Sequence, residues 1–282
     1  MNPRRRRILT GFGAAIPAAL SSSIALPAWA QGATDARLQA AIDGPQRSAA
    51  NRARDGARHP YETLKFFGIA PDQKVIEISP GGGWYTEILA PYLRENGRFY
   101  AATERADDPD AYRSKSRRSF DEKLARNPEA YGRVSVGTFP RGLAFEDIAP
   151  PGGADLVLTF RNLHNWIEDG HLDESLRALA AVLKPGGVLG VEEHRAPPGT
   201  SLERIVATGY VPEAYVIEHA QAAGFELASR SEANANPRDD KDHPNGVWSL
   251  PPTLRGGAVD RDKFLAIGES DRMTLTFVKP TR

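Results

Sequence analysis

The chain has 282 residues, with 36 lysines and arginines balanced by 36 aspartates and glutamates, and it contains no cysteine. The absence of cysteine excludes disulfides, thiolate metal sites and a cysteine nucleophile. A formal charge of zero argues against a nucleic-acid partner, because such a partner normally requires a clustered basic excess. A chain of this length is sufficient for one well-buried α/β domain.

The segment 1–30 has the pattern of an export signal peptide. Arginines occupy residues 4–7, a weakly apolar stretch follows at 11–26, and an Ala-Trp-Ala cleavage site stands at 28–30. The consecutive arginines are also typical of a twin-arginine signal, so ordinary secretion and twin-arginine export both stay open. We expect a periplasmic protein without a stable membrane span, because no stretch reaches the roughly 20 apolar residues that a span needs.

Residues 31–58 are polar and rich in alanine, without a strong apolar face. We expect them to be a flexible N-terminal segment that precedes a domain at 59–282. Within that domain, residues 231–270 contain Asn-Pro, His-Pro, Pro-Pro and Gly-Gly pairs, which predict a long loop insertion. A loop of this length in a compact domain usually has a function or is disordered.

Short runs of apolar and β-branched residues alternate with helical patterns along the domain. Strands are predicted at 74–78, 99–103, 134–136, 156–160, 188–191, 225–228 and 272–278, and helices at 61–67, 85–93, 172–183 and 212–224. This alternation predicts an α/β fold with a single doubly wound, mostly parallel sheet of about seven strands, covered by helices on both faces.

The first predicted strand of the domain leads directly into Ser79-Pro80-Gly81-Gly82-Gly83 and then into a helix. Such a turn places backbone N–H groups and the positive end of a helix beside an open crevice, where a cofactor can approach closely. A tight connection between a strand and a helix also needs glycines for its own geometry. The turn therefore indicates a cofactor site only together with its surroundings.

Three segments of the chain resemble motifs of the class I S-adenosylmethionine (SAM)-dependent methyltransferases. Residues 75–86 resemble the first motif, residues 154–158 the fourth-strand motif, and residues 183–189 the Leu-Lys-Pro-Gly-Gly turn before the fifth strand. The resemblance covers 61–280, and the closing segment is similar to a bacterial group of predicted exported methyltransferases. It implies a Rossmann-like methyltransferase fold with an antiparallel last strand, SAM as cofactor, and methyl transfer to a small-molecule acceptor.

The resemblance also implies which residues bind the cofactor. Glu77, Gly81 and Gly83 correspond to the motif that shapes the pocket for the methionine portion of SAM, and Glu104 to the acid that holds the ribose hydroxyls. The predicted cofactor site as a whole comprises Glu77, Ser79, Gly81, Gly82, Gly83, Glu104 and Asn162. The alternative for Glu104 is a solvated acid within the Glu-Arg-Ala-Asp-Asp run.

Two histidines follow predicted strands and are the candidate catalytic residues. His164 comes after the fourth strand and His194 after the fifth. The carboxyl ends of parallel strands form the edge at which open α/β folds bind ligands, and histidine is suited to general base catalysis. The alternative is that each histidine satisfies nearby backbone groups or lines the rim of the crevice.

Asp239, Asp240, Asp242 and His243 form a charged cluster between two prolines. We interpret this cluster as a solvated turn and assign no metal site to the chain, because clusters of this kind are usually exposed.

Three functions are compatible with this sequence. A SAM-dependent methyltransferase agrees best with the motifs, although an exported enzyme would need a supply of a cofactor that is made in the cytoplasm. The second is an exported ligand-binding protein that retains the fold without turnover, because a fold alone does not determine activity. A nicotinamide-dependent oxidoreductase is less favoured, because Thr86 replaces the third glycine of the dinucleotide fingerprint. The oligomeric state is left open.

Overall fold

A computed structural model describes residues 35–139 and 151–281, so the predicted export signal lies outside the described residues. The helices are α1 (Ala36–Asp43), α2 (Ala49–Arg52), α3 (Asp55–Arg58), α4 (Pro60–Phe66), α5 (Thr86–Leu93), α6 (Ala111–Arg126), α7 (Pro128–Tyr131), α8 (Leu163–Glu168), α9 (Leu172–Val182), α10 (Leu202–Thr208), α11 (Glu213–Ala222) and α12 (Arg261–Ile267). The strands are β1 (Lys74–Ile78), β2 (Arg98–Thr103), β3 (Ser135–Thr138), β4 (Ala154–Phe160), β5 (Leu183–Ala196), β6 (Val211–Pro212), β7 (Glu226–Ser231) and β8 (Arg272–Val278).

The strands form one sheet in the order β3-β2-β1-β4-β5-β8-β7, and the two-residue β6 pairs with β5 off this path. Strands β1 to β6 pair in parallel with their neighbours, whereas β8 lies antiparallel between β5 and β7. The predicted fold class is confirmed, including the antiparallel last strand. The carboxyl ends of β1, β2, β4 and β5 consequently meet at one edge of the sheet.

Helices cover both faces of the sheet, and the alternation of side chains along β1 shows how. Val75 belongs to an apolar cluster with α1 and α5, whereas Ile76 belongs to a second cluster with α9 and α11. Successive side chains of a strand point to opposite faces, so a strand in the centre of a two-sided core is mostly apolar, as β1 is apart from Lys74 and Glu77. This explains why the short run at 74–78 is identifiable from sequence.

The expectation of a flexible segment up to residue 58 is wrong for residues 35–58, which form α1, α2 and α3. Asp35 caps α1 by accepting hydrogen bonds from the backbone N–H groups of Arg37 and Leu38. Leu38, Ala41 and Ile42 are buried in the cluster that also contains α5. Their i, i+3, i+4 spacing is a short apolar stripe, which polar neighbours obscure in the sequence.

The predicted loop insertion at 231–270 contains one helix, α12, and a short 3₁₀ helix at Gly246–Ser249. The rest of the insertion is irregular, and Leu250 packs against Phe264 and Ile267 of α12 in a small apolar cluster of its own. The Asn234 side-chain amide donates to the hydroxyls of Thr63 and Thr274, at 2.9 and 3.0 Å, so the insertion is packed on the domain. Among the helices that the structure describes, none has both the length and the hydropathy for crossing a membrane.

Candidate functional site

The turn between β1 and α5 has an unusual backbone. Ser79, Gly81 and Gly83 have φ angles of 45°, 53° and 73°, in the left-handed region. Glycine enters this region without a steric penalty, but Ser79 does so at some cost, and such backbone strain is concentrated at functional sites. The Ser79 backbone N–H donates to the Ala102 carbonyl at 2.7 Å, which ties the turn to the end of β2.

A cavity of about 280 Å³ opens beside this turn, at the carboxyl edge of the sheet. Four residues of the predicted cofactor site line it: Glu77, Ser79, Gly81 and Gly82. Gly83 does not line it, and a Cβ at that position would lie 3.3 Å from the side chains of Lys123 and Phe120 of α6. The remaining lining residues are Asn51, Arg54, Arg58, Pro80, Trp84, Tyr85, Phe160 and Arg161.

Glu77 is a buried acid in the wall of the cavity. Its Oε2 accepts a hydrogen bond of 2.7 Å from the Thr86 hydroxyl. Burial raises the pKa of Glu77 to about 7, and the Thr86 hydroxyl, Lys123 and Arg161 oppose this shift only in part. A carboxyl group with such a pKa can stay neutral in the free protein and ionise when a cation approaches.

An aromatic wall closes one side of the cavity. The rings of Tyr85 and Phe160 stack with centroids 3.6 Å apart, and the edge of Trp84 meets Tyr85. The Tyr85 hydroxyl donates to Glu192 Oε2 at 3.1 Å, and burial together with this carboxylate raises the pKa of Tyr85 well above its usual value. Tyr85 is therefore a neutral hydrogen-bond donor that faces into the protein.

Sequence reasoning missed the arginines of this cavity. Arg54 and Arg58 come from the segment that was expected to be flexible, and Arg161 directly follows β4 in the left-handed region, with φ of 59°. The sequence signal available was the arginine-rich stretch at 52–58, but such a stretch is usually a solvated surface. Its position beside the glycine turn depends on tertiary packing.

Glu104 and Asn162 lie at the same edge of the sheet but do not line the cavity. Glu104 directly follows β2, is partly buried, and its Oε2 accepts a hydrogen bond of 2.7 Å from the Thr103 hydroxyl. The Asn162 side-chain amide donates to the Ile78 carbonyl at 3.0 Å and to the Thr159 hydroxyl at 3.1 Å. Asn162 thus joins the ends of β1 and β4 and supports the turn from behind.

His164 is buried at the start of α8 and is held by Glu193 of β5. The His164 Nδ1 lies 2.9 Å from Glu193 Oε1, and the backbone N–H groups of Leu163 and His164 donate to the other oxygen, Glu193 Oε2. Because an ionised carboxylate only accepts hydrogen bonds, this contact favours a proton on Nδ1 and leaves Nε2 as the acceptor. Sequence reasoning missed Glu193, although it is the neighbour of His194.

His194 lies close to His164, with 5.3 Å between the ring centroids, and its Nδ1 contacts the Ser270 hydroxyl of the loop insertion. Burial, followed by the nearby His164 and Arg161, lowers the pKa of His194 well below its usual value. His194 is therefore neutral at physiological pH. The structure brings the two predicted histidines together, with one ring oriented by a carboxylate and the other by a hydroxyl.

The expectation of a solvated turn at 239–243 is wrong for Asp239 and His243, whereas Asp240 and Asp242 are exposed. Asp239 and His243 are buried, and His243 Nε2 lies 2.8 Å from Asp239 Oδ1. The Tyr210 hydroxyl and the Asp271 backbone N–H also donate to the Asp239 carboxylate, at 2.8 and 2.7 Å. These contacts join the loop insertion to Tyr210 and to Asp271, the residue before β8, and they satisfy the buried carboxylate of Asp239.

Comparisons with solved structures agree with this architecture. A SAM-dependent methyltransferase from Aquifex aeolicus is similar over 86% of this chain and 97% of its own, with 15% identity and a TM-score of 0.55. The [4+2]-cyclase SpnF is similar over 85% of this chain and 86% of its own, with 19% identity and a TM-score of 0.54. The CurJ carbon methyltransferase is similar over 86% of this chain and 58% of its own, with 12% identity and a TM-score of 0.51.

No protein-family model and no curated protein sequence matches the chain. At these identities, the likeness extends to the fold and not to the reaction, and the presence of a cyclase among the similar structures illustrates that difference. The chain has the Rossmann-like fold of the SAM-dependent methyltransferases.

Proposed function

We propose that this protein is a SAM-dependent methyltransferase that acts on a small-molecule acceptor. The observation that carries the proposal is the cavity at the glycine turn, which exposes backbone of Ser79, Gly81 and Gly82 at the carboxyl edge of the sheet. Ligands of open α/β folds bind at this edge, and a turn with little side-chain bulk lets a cofactor approach the backbone.

The residues at the turn fit the amino-acid end of SAM. A Cβ added at Gly81 or Gly82 meets no heavy atom within 4 Å, so the space above the turn is open among the described residues. Glu77 supplies a buried carboxyl group that favours a cationic partner such as an ammonium group. When bound, SAM supplies an electrophilic methyl group attached to a sulfonium.

The chain itself contributes alignment, a dry wall and a candidate base. Tyr85 and Phe160 shield one side of the cavity from water. Alignment of two reactants contributes about 7–11 kcal/mol to lowering a barrier, so methyl transfer requires few catalytic groups. Neither histidine lines the cavity. We assign the base to His164, because Glu193 orients its ring with Nε2 as the acceptor, and the neutral His194 lies beside it.

We also propose that the protein is exported to the periplasm. The signal-like pattern at 1–30 supports export to the periplasm. Two export routes are compatible with this pattern: ordinary secretion and the twin-arginine route. Fractionation of cells that express the full chain tests it. A protein of full length in the cytoplasm would contradict export, whereas loss of the periplasmic form after Arg5→Lys together with Arg6→Lys would indicate the twin-arginine route.

Isothermal titration calorimetry of the purified protein with SAM, its demethylated product and NAD tests the cofactor. We expect SAM and its product to bind with dissociation constants in the micromolar range, which correspond to a binding free energy of about −8 kcal/mol. We expect no binding of NAD. Gly82→Val should abolish this binding, because the new side chain would occupy the cavity. Gly56→Val is the matched control, since Gly56 is exposed and its Cβ also meets no atom within 4 Å.

The outcomes separate the three candidate functions. Binding of SAM without formation of its demethylated product across a panel of acceptors would favour the ligand-binding protein over the enzyme. Preferential binding of NAD would replace both with an oxidoreductase. For an active enzyme, His164→Ala should retain SAM binding and lose turnover, because the base acts on the acceptor and not on the cofactor.

A further inference from the structure

Three arginines that line the cavity, together with the buried Arg272, share two carboxylates. Glu269 accepts hydrogen bonds from Arg54 Nε at 2.7 Å and from Arg58 Nε at 3.1 Å. Glu192 accepts from Arg161 Nη1 at 2.7 Å. The fourth arginine, Arg272, lies between the two acids, with its Nη1 2.9 Å from Glu192 and 3.3 Å from Glu269.

This arrangement leaves an excess of positive charge at the cavity wall. Four guanidinium groups against two carboxylates give two uncompensated positive charges, before the partly ionised Glu77 is counted. Two neighbouring acids, Asp55 and Glu87, do not neutralise this positive charge, because each has a cationic partner of its own. Arg47 pairs with Asp55 at 2.6 Å, and Lys123 pairs with Glu87 at 2.6 Å. Burial of unpaired charge is costly, so such an excess calls for an anion.

In the three arginines that line the cavity, the donors that remain are the terminal nitrogens of Arg54 and Arg58 and the Nη2 of Arg161. The Nη1 of Arg161 already donates to Glu192. Arg54 and Arg58 both contact Glu269 through Nε, which leaves their outer nitrogens for other acceptors. The Nη2 of Arg54 is buried and has no hydrogen-bond partner among the described residues. Burial, followed by repulsion from Arg161, lowers the pKa of Arg58 to about 9. For Arg161, burial lowers the pKa but Glu192 and Glu269 outweigh it, so the pKa of Arg161 is raised.

We propose that Arg54, Arg58 and Arg161 form an anion subsite that binds a carboxylate or phosphate group of a ligand in the cavity. The planar forks of guanidinium groups match the oxygens of both anions, and three of them line the cavity. Arg58 is also held in place by the Trp84 ring, which lies 4.9 Å from its guanidinium carbon. The subsite does not depend on the proposed function.

Two ligands could supply this anion: the carboxylate of SAM itself, or an acid group on a separate molecule such as the acceptor. Isothermal titration calorimetry of the full chain with three probes distinguishes them. The probes are SAM, decarboxylated SAM, which retains the sulfonium and the amine, and inorganic phosphate, added to the free protein and to protein saturated with SAM.

Arg54→Gln should weaken binding of the anionic probe by about tenfold or more, the loss typical of a hydrogen bond to a charged group. Arg58→Lys, which retains the charge but not the fork, is the second variant in case Arg54→Gln perturbs folding. Arg126→Gln is the matched control, because Arg126 lies on α6 with 77% of its side chain exposed and does not line the cavity. Its affinities should equal those of the unsubstituted protein.

If the carboxylate of SAM is the anion, decarboxylated SAM binds about tenfold or more weakly and SAM excludes phosphate. If the anion belongs to a separate ligand, phosphate binds to SAM-saturated protein and decarboxylation has little effect. If the protein binds phosphate but not SAM, and Arg54→Gln abolishes the phosphate binding, the anion subsite is supported and the proposed function is contradicted. Equal affinities for SAM and decarboxylated SAM, together with no phosphate binding, would overturn the anion subsite.

Discussion

Glu77 is the residue at which burial and charge conflict most directly. Its pKa is raised from 4.5 to about 7, chiefly by burial, so the folded protein holds a proton that the unfolded chain releases between these pH values. The titration of Glu77 therefore does not change the free energy of unfolding below about pH 4.5, where the group is protonated in both states. Between about pH 4.5 and pH 7 it lowers the free energy of unfolding as the pH rises. The full shift corresponds to on the order of 3 kcal/mol.

Glu77→Gln should remove this pH dependence, because an amide stays neutral and its oxygen can still accept the Thr86 hydrogen bond. We expect the free energy of unfolding of the variant, relative to the unsubstituted protein, to rise by up to about 3 kcal/mol between pH 4 and pH 8. Urea unfolding at both pH values measures this difference. A constant difference across the range would show that Glu77 titrates normally.

Some residues of the candidate site are positioned by local sequence, and others are positioned by tertiary packing. Glu77, Ser79, Gly81 and Gly82 could be predicted, because the strand, the turn and the helix that position them are adjacent in sequence. Arg54 could not, since its carboxylate partner Glu269 lies 215 positions away. Contacts at such separations depend on how the whole chain packs, and no local pattern encodes them.

At the scale of elements, the strands were predictable and several helices were not. A strand buried on both faces is mostly apolar, which leaves a visible run such as Val75, Ile76 and Ile78 of β1. By contrast, α6 has 16 residues and buries only Ser114 and Phe120, so it presents no apolar stripe that would distinguish it from a polar loop. The helix α1 is short, and its stripe has three residues.

The packing of α1 leads to a testable prediction about the N-terminal helices. Leu38 is fully buried against the layer that contains α5, so Leu38→Ala removes apolar contacts and leaves a cavity. We expect a loss of about 2–4 kcal/mol in the free energy of unfolding. Leu202→Ala is the control: Leu202 is 55% exposed on α10, and the change there should stay within about 0.5 kcal/mol. Equal effects of the two substitutions would mean that α1 is only loosely attached.

At the scale of the molecule, one network of ions joins distant parts of the chain. Arg54 and Arg58 come from the N-terminal helices, Glu192 from the centre of the sheet, and Glu269 from the end of the loop insertion. The guanidinium of Arg272 also donates to the Ala57 carbonyl. Arg54 and Arg58 of this network also line the cavity, so the stability of the N-terminal helices and the shape of the candidate site are coupled.

Glu269 contacts three of the four arginines in this network, so its removal should lower the free energy of unfolding of the protein. Burial by itself raises the pKa of Glu269, but Arg58, Arg272 and Arg54 outweigh it and lower the pKa to about 2. The stabilisation that this carboxylate provides is consequently complete above its unfolded value of 4.5 and is lost as the pH falls through about 2.

Glu269→Gln would leave Arg54, Arg58 and Arg272 without their shared carboxylate. Breaking a buried ion pair on one side typically costs about 3–5 kcal/mol, because the remaining charge stays buried, and we expect a loss of this size at neutral pH. Since the carboxylate protonates in acid, the difference from the unsubstituted protein should shrink between about pH 5 and pH 2. Urea unfolding across this range, with exposed Glu168→Gln as control, measures it. A difference that does not change with pH would indicate that packing, and not charge, makes Glu269 important.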